Sequence, residues 1–146
     1  VFNDVFEHIP NPAQLVPQIE ALLAPGGRLV VNLPSSGGTI YRIAATLAAA
    51  GITGPYERLW QKGFPSPHIS YFNPENLRKL IEHHSGLRRE DSFSLPSVMR
   101  TGLGDRIRSS HGGLVGAVMV ASMWSLSFIL PYLPADIEVV VFRKSS

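Results

Sequence analysis

Cysteine is absent from the 146 residues. That excludes a disulfide framework and any thiolate metal site, and it is compatible with a reducing compartment, so the expected location is the cytoplasm. Runs of like charge are absent too: 13 Lys and Arg and 11 Asp and Glu are scattered along the chain, for a formal net charge of +2. Without a basic stripe, the pI near 9.2 argues only weakly for acidic partners, and no nucleic acid is expected. No internal repeat, interdomain linker or basic-then-apolar leader is present, and the first residue is Val rather than Met, so no signal peptide is expected. A Gly-x-Ser-x-Gly elbow is missing as well, which makes Ser35 or Ser36 with His68 and Asp91 a poor hydrolase triad. What remains is 45% apolar, the size and composition of one globular domain with a core.

Val1, Phe2 and Asn3 form an apolar stub that runs into Asp4 like the carboxyl end of a strand, where open α/β sheets bind ligands. Asp4, Glu7 and His8 stand at i, i+3 and i+4, the spacing of one helical face. Asn11-Pro12 reads as a cap with the proline favoured at the first helical position, and Leu15, Val16, Ile19, Leu22 and Leu23 supply an apolar stripe. Pro17 predicts a kink or a start delayed to about Leu15. Pro25-Gly26-Gly27 ends that helix, and Leu29 to Leu33 reads as a parallel strand buried on both faces. Pro34 to Gly38 turns into a helix over Thr39 to Ala50. From Ile52 to Pro67 regular structure fades, and Tyr56, Trp60 and Phe64 recur at four-residue intervals, as in a lid. His68 to Phe72 leads into Asn73-Pro74, a second cap, and a helix with Leu77, Leu80 and Ile81 inward. Leu87 to Leu95 reads as a strand with Phe93 and Leu95 on one face, Pro96 to Gly112 as a loop carrying Arg100, Arg106 and Arg108, and Ile137 to Phe142 as a last strand.

Charge disappears between Arg108 and Asp136, His111 aside, and Gly113 to Leu130 is apolar for eighteen residues, long enough to consider a membrane span. A span would strand the last strand beyond the membrane. A buried or dimer-forming helix is therefore expected, with the small residues Gly113, Ala117, Ala121 and Ser125 permitting close approach. Contact of 113–130 with a membrane surface is the alternative.

The segments NDVFEHI and LLAPGGRLVVNLPS resemble the second half of a class I S-adenosylmethionine-dependent methyltransferase. HISYFNPENLRKLIEHHSGL resembles the subgroup that includes ubiquinone-pathway O-methyltransferases. The resemblance implies an α/β, Rossmann-like sheet of which this chain holds the C-terminal half: a stub of strand four, strands five and six, and an antiparallel strand seven between them. Residues 1–146 would be a single partial domain lacking that family's glycine-rich cofactor loop and ribose-binding acid. The implied activity is methyl transfer from S-adenosylmethionine to a small-molecule or lipid-like acceptor. This chain by itself would be inactive and would bind the cofactor poorly, through Asn3, Asp4 and Val5. The competing class is a non-catalytic module serving association, as a homo-oligomer or at a membrane surface.

Histidine titrates near neutrality, so His8 and His68 are the candidate bases, with Glu7 beside His8. Tyr56, Trp60, Phe64 and Tyr71 are the candidate wall of an acceptor pocket. Asp4, Glu7, His8 and His68 also resemble the acidic-x-x-Glu-His plus distant His set that holds a divalent cation in some O-methyltransferases, with Asp4 where those carry Glu. Carboxylate and imidazole suit Mg, Mn or Zn, but a metal-free helix start is the favoured reading.

Overall fold

In the computed structural model the described residues are 1–96, 113–129 and 132–145. The expected arginine-bearing loop lies almost wholly outside them, as do Leu130 and Pro131. The elements in order are β1 (Phe2–Asn3), a 3-10 turn (Phe6–His8), α1 (Pro12–Leu22), β2 (Arg28–Pro34), α2 (Thr39–Ala49), α3 (Gly54–Leu59), α4 (Pro74–His84), β3 (Arg88–Leu95), α5 (Gly113–Ile129) and β4 (Ile137–Arg143).

The sheet runs in the order β1-β2-β4-β3. β1 is parallel to β2, with Phe2 opposite Val31 and Asn3 opposite Asn32. β4 is antiparallel to both β2 and β3, so the last strand lies between the two that precede it, as the resemblance implied. One core holds it together: Val16 and Ile19 of α1 and Leu77 and Ile81 of α4 pack on Leu29, Val31 and Leu33 of β2 and on Val140 and Phe142 of β4. Truncating a side chain as buried as Leu77 or Ile81 costs about 2–5 kcal/mol. β2 departs from the expectation of burial on both faces. Leu29, Val31 and Leu33 are buried while Val30, Asn32 and Pro34 are only partly so, because α1 and α4 cover the same side of the sheet.

α1 begins at Pro12 rather than near Leu15 and continues through Pro17, whose ring is exposed. Asn11 makes no side-chain cap there, whereas Asn73 caps α4 fully: its Oδ1 accepts from Glu75 N at 3.1 Å and Asn76 N at 2.9 Å, and Asn76 returns a bond to Asn73 N at 2.7 Å. The start of α2 is held from across the chain, since Asp136 Oδ1 accepts from Ile40 N at 2.6 Å and Pro134 O accepts from Thr39 N at 3.1 Å.

The small residues expected to pack α5 closely, Gly113, Ala117, Ala121 and Ser125, are exposed in the single chain rather than buried in its core. Among the described residues no helix is long and apolar enough to cross a membrane.

Candidate active site

β1 ends at Asn3, and the next residue, Asp4, has φ of +51° while its N–H donates to Asn32 O at 3.1 Å. This left-handed residue breaks the helical face read from the i, i+3, i+4 spacing. The turn starts at Phe6, and Asp4 is left exposed outside it. Phe6 is fully buried against Phe2 and Phe72, with ring centroids 5.8 Å away in each case, and this anchor fixes the two residues that follow.

Glu7 follows Phe6 into the interior at 1% exposure. Its carbonyl accepts from Ile69 N at 2.9 Å and Ser70 N at 3.0 Å, which ties the segment around His68 to the turn. One carboxyl oxygen, Oε2, is buried without a hydrogen-bond partner, and the other, Oε1, lies 3.9 Å from His8 Nε2. Burial pushes the Glu7 pKa up, opposed by its own backbone N–H and by His8.

His8 is oriented by a carbonyl. Its Nδ1 lies 2.9 Å from Pro67 O, and a carbonyl only accepts, so Nδ1 carries a proton and Nε2 is the nitrogen beside Glu7. The His8 and His68 rings meet edge to face with centroids 4.7 Å apart. His68 Nδ1 is 3.0 Å from the Tyr71 hydroxyl and Nε2 is 3.0 Å from Gln61 Nε2. With both ring nitrogens so engaged, no triad with Ser35 and Asp91 is formed. Burial foremost, and His8 next, hold the His68 pKa below its ordinary value of 6.5.

Beside this cluster a cleft of about 330 Å³ is lined by Tyr56, Glu57, Trp60, Lys62, Pro67 and His68. Its aromatic lining is Tyr56 and Trp60, and Tyr71 packs on Trp60 with ring centroids 5.0 Å apart. Phe64 does not join them. It lies under the Arg58 guanidinium, 4.9 Å from ring centroid to Cζ, and is 47% exposed. Tyr41 of α2, which the spacing of aromatics did not single out, does join: it sits 4.7 Å from Tyr71, and its hydroxyl is 3.1 Å from that of Tyr56. The available signal was its place one turn into the helix after β2, at the ligand-binding end of the sheet. Burial raises the pKa of both Tyr41 and Tyr71 to about 12.

Ligand atoms of Glu7, His8 and His68 lie within 4.8 Å of one another, and Asp4 is not among this group. Metal–ligand bonds of about 2.0–2.2 Å put two donors at most about 4.4 Å apart. The three residues suit a divalent cation in donor type, after a small contraction and release of His68 from Gln61. Asn3 and Asp4 are exposed at the end of β1, where Asn3 Oδ1 accepts from Asn32 Nδ2 at 2.6 Å; Val5 is exposed beside them.

The Haemonchus contortus N-methyltransferase 2 solved with phosphomonomethylethanolamine and S-adenosylhomocysteine shares this arrangement of elements: TM-score 0.51 at 13% identity, over 99% of this chain and 32% of that one. The ubiquinone biosynthesis O-methyltransferases of Xylella fastidiosa strains M23 and Temecula1 are each 35% identical over 89 residues, which is 60% of this chain and 33% of theirs. The chain thus spans about a third of the length of those curated relatives. Residues 1–89, from the β1 stub through the Glu7, His8 and His68 cluster to the start of β3, match the family described as Methyltransferase domain. That match covers more than half of the chain, and with the last strand inserted between the two before it, this chain belongs to that methyltransferase family.

Proposed function

We propose that this chain carries the acceptor side of an enzyme that transfers the methyl group of S-adenosylmethionine to an oxygen of a small-molecule or lipid-like acceptor. The observation that carries this reading is the unpartnered Oε2 of Glu7, buried beside a His8 whose Nε2 faces it, at the carboxyl end of β1 and next to an aromatic cleft. The curated relatives named above, as O-methyltransferases, favour oxygen as the acceptor atom. S-adenosylmethionine, when bound, supplies an electrophilic methyl on a sulfonium. His8 Nε2 would take the proton of the acceptor hydroxyl as that oxygen is methylated, and the Glu7 carboxylate would stabilise the resulting imidazolium. Tyr56 and Trp60 stack on the acceptor and exclude water, and Tyr71 holds the Trp60 ring in place. Among the residues of this chain Asn3, Asp4 and Val5 would hold the cofactor, and they are few. The 146-residue chain alone is expected to bind it poorly and to be inactive, because affinity requires a largely formed pocket.

In the full-length protein, His8→Ala should lower kcat by about 10²–10⁴-fold, the usual worth of a positioned base, and leave S-adenosylmethionine affinity unchanged. Unaltered turnover with an accepted substrate would remove His8 from the mechanism. If a divalent cation is held by Glu7, His8 and His68, chelation should reproduce Glu7→Ala, and it would supply Lewis-acid polarisation of the acceptor oxygen.

A second reading, association without catalysis, is favoured by the large apolar side chains exposed on and after α5: Trp124 at 54%, Ile129 at 54% and Tyr132 at 89%. Homo-oligomerisation and membrane-surface contact both belong to it.

A further inference from the structure

The turn after α3 is built in an uncommon backbone conformation. Gln61 has φ of +51° although it carries a side chain, and Gly63 has φ of +85°. A left-handed non-glycine residue is disfavoured and persists where its surroundings over-determine it. What this turn achieves is the placement of one amide. Gln61 Nε2 lies 3.0 Å from His68 Nε2, and His68 N donates to Trp60 O at 3.2 Å, so residues 60–68 close on themselves.

On the other side of the ring the Tyr71 hydroxyl donates to Leu59 O at 2.9 Å. That spends its single proton, so toward His68 Nδ1, 3.0 Å away, it can only accept. His68 therefore carries its proton on Nδ1, and its Nε2 is a lone pair that accepts from the Gln61 amide. The titratable and charged groups facing this ring are Glu7 and His8 of the 3-10 turn, Asp4 before it, the Tyr71 phenol, and Glu57 and Lys62, which line the same cleft and pair with each other at 2.7 Å. None of them offers Nε2 another donor of comparable geometry among the described residues.

We propose that Gln61 is a positioning residue of this site: with Tyr71 it clamps His68 as the neutral Nδ1–H tautomer with its Nε2 lone pair covered, which leaves His8 as the free base. The division of labour between the histidines rests on the methyl-transfer reading, whereas the clamp does not.

The test is ¹⁵N NMR of the full-length protein labelled in histidine, with His68 assigned from His68→Gln. At neutral pH the His68 Nδ1 should appear as an N–H and Nε2 as a hydrogen-bonded lone pair. In Gln61→Glu a carboxylate replaces the donor and should draw a proton onto Nε2, seen as a second ring N–H at neutral pH. Gln61→Met keeps the length without the donor, and should move Nε2 toward the shift of an unbonded lone pair while Tyr71 retains the tautomer. A proton on Nε2 in the unaltered protein, or one Nε2 signal shared by all three proteins, would overturn the proposal. Turnover measured in parallel separates the two readings. A clamp seen by NMR beside a fully active His8→Ala would support the clamp and sink the proposed base.

Discussion

Glu7 is where a single residue's surroundings set its chemistry. A carboxyl at 1% exposure with one oxygen unpartnered is costly to ionise, and its pKa is raised above the ordinary 4.5. The sign of the stability effect follows. A group whose folded pKa is raised contributes stability that is fully present below its unfolded value and is lost as pH rises through the folded one. Glu7→Gln, which keeps the shape without the charge, should therefore unfold at higher urea than the unaltered protein at pH 7, with the difference closing toward pH 4. A variant that is less stable at both pH values would mean that the ionised carboxylate is held favourably after all. The phenols behave alike at the other end of the scale. Tyr41 and Tyr71, raised to about 12, should remain protonated past the ordinary value of 10 in an ultraviolet titration, and the stability they confer should fade as pH rises toward 12.

Elements here are held at their ends as much as by their faces. The α4 cap depends on Asn73, whose Oδ1 accepts two backbone bonds, and Asn73→Ala should cost about 1 kcal/mol in urea unfolding. The start of α2 depends instead on a small residue. Gly38 has an ordinary φ of −69°, so it is not required by backbone conformation. A Cβ there would lie 2.6 Å from Asp136 Oδ1, 2.7 Å from Asp136 Cα and 2.8 Å from Ala135 O. Gly38→Ala should consequently cost about 1–3 kcal/mol by forcing the segment before β4 away from α2. Gly54→Ala, with nothing within 4 Å of the added methyl, is the control and should change stability little.

For the whole molecule, the core lies on one side of a four-stranded sheet, and the opposite side of β2 is only half-buried. β3 is exposed along almost its entire length, and Phe93 on it is 47% exposed. The residues of β3 are mostly charged or Ser; the large apolar side chains left at the surface include Phe93 and, on α5, Trp124, Phe128 and Ile129, and exposed apolar faces recruit other chains. The purified 146-residue chain is accordingly expected to sediment as a dimer or larger. A monomer with cooperative unfolding would show that the half-covered sheet is self-sufficient and would remove homo-oligomerisation from the association reading.

Much of this was legible in the residues themselves. The Asn73-Pro74 cap and the Gly26 turn with its φ of +73° are local signals whose physics operates within a few residues, and each appears where the pattern put it. The burial of β2 depends on which helices cover the sheet, and there the expectation of two buried faces failed. Strand pairing is not local. The position of β4 between β2 and β3 came from the resemblance, because no property of Ile137 to Phe142 alone selects a neighbour. The candidate site divides in the same way. Glu7, His8 and His68 could be named from their residue types and motif. Their convergence required the backbone bonds from Ile69 and Ser70 to Glu7 across more than sixty positions. Spacing misled where it assumed a regular helix: Asp4 leaves the cluster through its left-handed φ, and Phe64 turns away to Arg58. Tyr41 and Gln61 enter it only because α2 and the turn after α3 fold against Tyr71 and His68. The sequence by itself determined which groups can exchange a proton; tertiary structure decided which of their nitrogens and oxygens are free, because a hydrogen bond to a distant carbonyl is what assigns each proton to its atom.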